Sequence, residues 1–464
     1  MSVILSPSEL TKQHRRDIIN DCTITMEPTI YNPDSQKYFC YTEDVKNDSL
    51  SIPIGLWKKY FNVKDGFPNG EHADFPKMNM RAKMVVKPLT ILTDPKKRGR
   101  DQDVIIRESI NRLKTDGAVF LALFTGLGKS FCAIYLSITL GLKTVLLCHL
   151  DIVRKQWPDE YKTFSGNSVK IQVVKGSHCN LDPTADVYII GVLKAANMTS
   201  DDFVNIGTVI IDEAHMTSVA VFTKTLLLFH PRYLIGLSAT PDKGEVSLME
   251  KYFGPAKDFI IRLENKPFVV YKDQTPFNPK ISYTIVFGKT VPDWSAIINS
   301  IEENSDRWEY IVDIIENHPN EKIIVLCNRN ALVNGICEIL ERCNEPYAKL
   351  INKQKTYDKT KRILVVGFKK GGVGLNDPDL TMAIIASDTQ DVRQYEGRLR
   401  TTNCIIYHLV DNYRTFETHF EPCAEWYLSK GGTIKTIGVP HNFTKSNNRG
   451  TVPIKRLVGR GPQS

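Results

Sequence analysis

Six consecutive residues, Thr125-Gly126-Leu127-Gly128-Lys129-Ser130, have the side-chain types a triphosphate site needs. Glycines let backbone N–H groups close around phosphate oxygens, a lysine ammonium reaches the β- and γ-phosphates, and a serine hydroxyl can ligate Mg²⁺. The strict phosphate-loop pattern asks for one more glycine, at the position held here by Leu123. Alone, the stretch leaves open a strand–turn–helix with an incidental Gly-Lys-Ser. Further along, "TVIIDEAH" (208–215) ends a β-branched run in two adjacent carboxylates. Asp212 at a strand end can hold Mg²⁺ through water, and Glu213 can polarise an attacking water. A metal-bound triphosphate needs both jobs done close together.

These residues need a scaffold that presents them on one edge. From about residue 100, short apolar runs alternate with helix-length segments. The runs "AVFLALF", "KTVLLCHL", "VKIQVV", "DVYIIGV", "TVIIDE" and "YLIGLS" read as strands, and "KSFCAIYLSITL" and "DIVRKQWPDEYKTF" read as helices. Strands alternating with helices imply βαβ units and a parallel sheet. A second set follows: "EKIIVLC", "KRILVVG", "MAIIAS" and "NCIIYHLV". Between the sets, "ENKPFVVYKDQTPFNPK" (264–280) is rich in Pro and polar residues and reads as a linker. The expected division is an irregular N-terminal accessory module over 1–95, a nucleotide-binding α/β lobe over 96–270, a second α/β lobe over 281–430 and a basic tail over 431–464.

Composition narrows the class. The 464 residues are 42% hydrophobic and 24% charged, as in an ordinary soluble protein, and no apolar run is long enough for a membrane span. The start lacks a secretory pattern, and ten cysteines occur without a Cys-x-x-Cys pair, which suits a reducing compartment. The expectation is an intracellular, soluble protein of cytoplasm, nucleus, virion or viral replication site, with no membrane partner. Net charge is +8, and from Lys430 to Ser464 there are seven Lys/Arg and no Asp or Glu. "KKRGR" (96–100) is a second basic stretch. Such stretches contact phosphate backbones or form solvated tails, and both readings stay open.

Asp212-Glu213-Ala214-His215 followed by "GLSATP" (236–241) resembles the first lobe of a superfamily-2 DEAH-box-type helicase. That family often carries Thr-Gly-x-Gly-Lys-Ser/Thr with the first glycine relaxed, the form at Thr125–Ser130. The resemblance implies two tandem RecA-like lobes with parallel sheets and ATP hydrolysis in the cleft between them, with ATP and Mg²⁺ as cofactors. It gives Gln102 a place near the nucleotide base, and Thr125, Gly126, Leu127, Gly128, Lys129 and Ser130 the phosphates. Ser130 and Asp212 hold the metal and Glu213 is the base. Ser238, Ala239 and Thr240 couple hydrolysis to lobe movement. "TVLLCHLDIVRKQW" resembles the segment touching a nucleic-acid strand, with Gln156 and Trp157 its most recognisable pair; a packed surface helix is the alternative there. "GFKKGGVGLNDPDL" (367–380) resembles the second lobe's strand-contacting motif, through Gly371, Gly372 and Gly374, although Asn376 and Asp377 depart from its common form. In "QYEGRLR" (394–400), Gln394 and Arg398 fit the motif that reaches the γ-phosphate. The family's second arginine position is Thr401, and Arg400 lies one residue early.

The "QW" pair and "GLSATP" are most similar to the branch of DNA helicases and translocases that contains the poxvirus transcript-release helicase and relatives from other large DNA viruses. The resemblance implies ATP-driven movement on DNA, in transcript release, repair or replication. RNA polymerase or other transcription and replication proteins are the implied partners. An RNA helicase, action on a DNA–RNA hybrid, and a nucleic-acid-binding subunit of a transcription complex with weak ATPase stay open as alternatives.

Overall fold

The computed structural model describes residues 2–5, 11–26, 36–44, 46, 48–60, 75–89, 101–124, 126–149, 151–175, 180–215, 223, 225–239, 246–262, 267–286, 289–352, 354, 356–372, 377, 379–396, 399 and 403–441. The chain divides into two compact units, Met1–Leu263 and Glu264–Ser464.

The first unit opens with β1 (Ser2–Leu5), α1 (Lys12–Asp21), β2 (Thr23–Met26), β3 (Gln36–Phe39), β4 (Thr42–Asp44), β5 (Ser49–Pro53) and α2 (Trp57–Tyr60). β1, β5 and β4 form one small antiparallel sheet, and β2 pairs with β3. This segment buries Val3, Leu5, Ile18, Leu50, Ile52 and Trp57 in the same core cluster as Phe120, Val145 and Val209 of the large sheet that follows. The Trp57 indole also donates to the Asp116 carbonyl at 3.0 Å. The N-terminal residues therefore complete one face of the nucleotide-type lobe and share its core.

The large sheet is parallel throughout: β6 (Ala118–Leu123), β7 (Thr144–Cys148), β8 (Ile171–Val173), β9 (Val187–Gly191), β10 (Thr208–Ile211), β11 (Tyr233–Ser238) and β12 (Ile260–Arg262) run in the order β12-β6-β11-β10-β7-β9-β8. Every residue of β6, β7, β10 and β11 is buried. That is why these strands read as continuous apolar runs, since both faces of a parallel sheet are covered. Phe120 anchors one face, its ring 5.1 Å from Phe253 and 4.6 Å from Phe259. Truncating such a ring to Ala costs roughly 3–5 kcal/mol. Helix α3 (Gln102–Asp116) precedes β6 and stops at Gly117, whose left-handed φ of 74° lets its N–H bond the Leu113 carbonyl. α4 (Lys129–Leu140) and α5 (Asp151–Ser165) follow β6 and β7.

The second unit repeats the design. β13 (Phe268–Gln274), β16 (Ile323–Cys327), β17 (Tyr347–Leu350), β18 (Ile363–Gly367), β19 (Met382–Ile385), β20 (Cys404–Val410) and β21 (Gly432–Gly438) make a parallel sheet in the order β17-β18-β16-β19-β20-β13-β21. β14 (Tyr283–Val286) and β15 (Lys289–Pro292) form a separate hairpin.

Two expectations are corrected here. The segment 264–280, expected as a linker, contains β13, which lies between β20 and β21. Its flanking prolines read as linker, but "FVVY" is a short β-branched and aromatic run that buries Phe268 and Val270 in this unit's core. The tail expected from 431 begins with β21, an edge strand that is mostly exposed. Residues 442–464 lie outside the described residues. Among the described residues, no helix is long and apolar enough to cross a membrane.

Candidate active site

The phosphate-type loop leaves β6 and enters α4 through two glycines with left-handed backbone, Gly126 at φ 95° and Gly128 at φ 96°. L-residues rarely adopt that conformation. At Gly128 an added Cβ would also meet the Gln102 Nε2 at 2.5 Å, so that hydrogen-bonded side chain would have to shift. Leu127 between them is buried and anchors the loop on the core. α4 starts without a capping side chain. Its first N–H groups and the positive end of its dipole suit an anion. Lys129 Nζ donates to the Leu123 carbonyl at 3.5 Å.

Gln102, placed by resemblance near a nucleotide base, is 6% exposed and spends its amide on the protein. Its Oε1 accepts from the Leu89 N–H at 3.1 Å, and its Nε2 donates to the Leu127 carbonyl at 2.8 Å. In this arrangement Gln102 braces the loop. Thr125 lies outside the described residues.

Because β11 runs between β6 and β10, the loop and the acidic pair flank the end of β11 at the C-terminal edge of the sheet. Ligands of open parallel sheets bind at this edge. Asp212 is 9% exposed. Its Oδ2 accepts from the Trp157 indole at 2.9 Å and its Oδ1 from the Glu213 N–H at 3.0 Å. Burial, and after it the neighbouring Glu213 charge, pushes the Asp212 carboxyl above the usual carboxylate range. Glu213 sits at φ 52°, a left-handed conformation that is strained for a side chain of its size and is stored where surroundings over-determine it. Its Oε2 is buried and accepts no hydrogen bond among the described residues, with His215 Nδ1 3.4 Å away. His215 Nδ1 also shares a 2.9 Å hydrogen bond with Ser238 Oγ. The acidic loop and the end of β11 are thus joined through one imidazole.

Ala239 follows half-buried, and Thr240 lies outside the described residues. Gly236 in the same motif has a packing cause: a Cβ there would sit 2.5 Å from the Phe253 ring.

Sequence reasoning missed two neighbours. His149, just past β7, feels both His215 and Glu213; burial first, then His215, lowers it to about 4. Glu160 of α5 feels the Ser130 hydroxyl and Lys129, while burial holds its carboxyl above the usual range. Neither residue belongs to a spaced pattern, so nothing in one sequence distinguishes them. Trp157 was singled out with Gln156 for a nucleic-acid strand, but it is 2% exposed and its donor goes to Asp212. Gln156 itself is half-buried on α5.

In the second unit, Gly371 and Gly372 close the short helix Phe368–Gly372. A Cβ on Gly371 would meet Leu326 Cδ2 at 2.3 Å, so this glycine permits close packing on β16. Gln394 lies in the helix Arg393–Glu396. Leu399 is buried in that unit's core. Gly374, Arg398 and Arg400 lie outside the described residues.

The donor set fits Mg²⁺: a serine hydroxyl and the hydrogen-bonded Asp212 carboxylate are hard oxygens. Among the described residues no cluster of three His, Cys, Asp or Glu side chains could hold a metal.

Residues 97–243 match the family model described as type III restriction enzyme, res subunit. "Putative helicase 161L" of Invertebrate iridescent virus 6 is 29% identical over 368 residues, 72% of this chain and 82% of its own. "Putative helicase 055L" of Frog virus 3 (isolate Goorha) is 26% identical over 342 residues, 72% of this chain and 78% of its own. The solved structure of S. cerevisiae Dbp5 bound to RNA and ADP BeF3 shares the fold, with a TM-score of 0.51 at 11% identity over 72% of this chain and 89% of that one.

A glycine loop with its lysine, an acidic pair on a strand end one position removed, and two parallel sheets in tandem define an ATPase with two RecA-like lobes. The chain is similar to superfamily-2 helicases of large DNA viruses, and these matches indicate a nucleic-acid-dependent ATPase.

Proposed function

We propose that the chain couples ATP hydrolysis to movement on DNA. The observation that carries this reading is the shared edge: Lys129 and Ser130 after β6, and Asp212 and Glu213 after β10, flank β11, whose Ser238 is tied to His215. Lys129 and the α4 N-terminus bind the β- and γ-phosphates. Ser130 and Asp212 hold Mg²⁺, which when bound offsets phosphate charge. Glu213 orients and polarises the attacking water, and its unsatisfied Oε2 supports that role. His215 relays the state of the acidic loop to Ser238, Ala239 and Thr240. Gln394, Arg398 and Arg400 are assigned to the charge that builds on the γ-phosphate, on the strength of their sequence motif. Gln156, Gly371, Gly372 and Gly374 are assigned to the strand.

The preference for DNA is supported by the "QW" and "GLSATP" segments, which resemble those of DNA translocases. The same resemblance supports work in transcript release, repair or replication, beside a polymerase. Basic stretches at 96–100 and 430–464 support a salt-sensitive grip on phosphates. The test is phosphate release with single-stranded DNA, duplex DNA, RNA and hybrid oligonucleotides at one salt concentration. Stimulation by DNA of at least tenfold over RNA is the expected result; equal or greater stimulation by RNA contradicts the DNA assignment.

A further inference from the structure

The inner stripe of α5 consists of Trp157, Tyr161 and Ser165, all at most 2% exposed and spaced four residues apart. Side chains at that spacing share one helix face. Each of the first two makes a polar contact with a different part of the site's framework. Trp157 Nε1 donates to Asp212 Oδ2 at 2.9 Å, and the Tyr161 hydroxyl bonds Ser137 Oγ of α4 at 3.1 Å. Lys155 and Lys162, seven residues apart, share an exposed basic face about a third of a turn away, while Arg154, three residues before Trp157, lies half-buried on the inner side.

A buried carboxylate must have its lone pairs satisfied, and among the described residues each Asp212 oxygen has one donor: Trp157 on Oδ2, the Glu213 N–H on Oδ1. Two donors from fixed elements set the plane of the carboxylate. The backbone donor comes with the acidic motif itself. The indole comes from a different element, so any tilt of α5 acts directly on Asp212.

We propose that Trp157 is a positioning residue: its indole N–H orients Asp212 toward the metal, and through it α5 links occupancy of its basic face to the nucleotide site. This rests on the assignment of Asp212 as a metal ligand. Outer partners of metal ligands are worth roughly 10–100-fold in metal affinity or activity.

Four variants of the full chain separate the possibilities. Trp157→Phe keeps a ring and loses the donor. Trp157→His keeps a donor, because imidazole Nε2 occupies the ring position of indole Nε1. Tyr161→Phe cuts the neighbouring contact to α4, and Asp212→Asn removes the metal-ligand charge. The first readout is binding of fluorescent ADP in EDTA and in Mg²⁺, which involves no turnover. The second is the ratio of DNA-stimulated to basal phosphate release.

In EDTA all four should bind ADP as the wild type does. In Mg²⁺, Trp157→Phe should lose about tenfold of the metal-dependent tightening and most of the DNA stimulation. Trp157→His should recover much of both, and Tyr161→Phe should keep both. If Trp157→Phe retains the Mg²⁺ effect while Asp212→Asn loses it, the positioning role is wrong and the metal site stands. If both retain it, the metal assignment fails too. A loss in Tyr161→Phe equal to that in Trp157→Phe means general loosening of α5 and also overturns the proposal.

Discussion

One sheet design appears twice in the chain, and its C-terminal edge is treated in opposite ways. In the first unit the edge keeps unspent chemistry: two left-handed glycines, a strained Glu213 and a carboxylate oxygen without a donor among the described residues. In the second unit the corresponding edge is largely paired, although Arg307 Nη1 and Glu302 Oε1 are buried with no hydrogen-bond partner among the described residues. Arg307 is fully buried, its Nε donating to Asp411 Oδ1 at 2.9 Å and its NH2 to the Ala386 carbonyl at 2.6 Å. Asp411 also accepts from Thr275 at 2.6 Å, Tyr310 donates to both oxygens of Asp273, and His419 pairs with Asp388 at 2.7 Å. The contrast teaches that parallel-sheet topology supplies a place for chemistry at the strand ends, while the side chains set there differ: a glycine loop and an acidic pair in one unit, a mostly paired ionic network in the other.

The largest expected effect tests whether the second unit still contributes to hydrolysis through its arginine motif. Arg398→Ala should slow DNA-stimulated phosphate release by roughly 10³–10⁵-fold. ATP binding should change little, and an unaffected rate removes Arg398 from the chemistry. Next comes the ionic network. Arg307→Leu leaves Asp411 as a buried charge short of its main partner, and breaking a buried pair costs about 3–5 kcal/mol. Urea unfolding should show the second unit melting early, with ADP still bound by the first. Loss of ADP binding with the second unit intact would invert the contrast.

The smallest effect is acid sensitivity, and it discriminates between the units. Burial lowers His149 to about 4 in the first unit and His408 to about 3 in the second. An unfolded histidine takes its proton near the ordinary value of about 6.5. The unfolded chain therefore binds more protons as pH falls, so stability is complete above 6.5 and drains away toward 4 for His149 and toward 3 for His408. For His149 the drop is on the order of 3 kcal/mol. His149→Asn should make the slope shallower for the first unit only, the remainder there coming from His230, which burial also lowers to about 4; the readout is unfolding midpoints between pH 7 and 4, and an unchanged slope means His149 is not held neutral.

Much of the reactive edge was legible in the sequence, because fully buried parallel strands leave contiguous apolar runs. "AVFLALF" became β6, "TVIIDE" became β10 and "YLIGLS" became β11, while "KSFCAIYLSITL" became α4 with the same ends. The glycines of the loop announced a backbone that only they adopt easily. What stayed hidden depends on contacts remote in sequence. β13 is short and bracketed by prolines, and only its neighbours β20 and β21 make it a strand. Trp157 looks like any motif residue until Asp212, far along the chain, is seen to accept its hydrogen bond. Arg307 sits in an unremarkable helical segment, and its partner Asp411 follows the last strand but one of its sheet.

The central claim is that Glu213 is the base of an ATP site whose binding parts are Lys129, Ser130 and Asp212. The direct measurement is a single preparation of Glu213→Gln, assayed for ATP–Mg²⁺ affinity and for DNA-stimulated phosphate release. Removing a general base costs typically about 10²–10⁴-fold in rate. Unchanged affinity with turnover reduced by that much is the predicted result, and wild-type turnover in that variant would contradict the account.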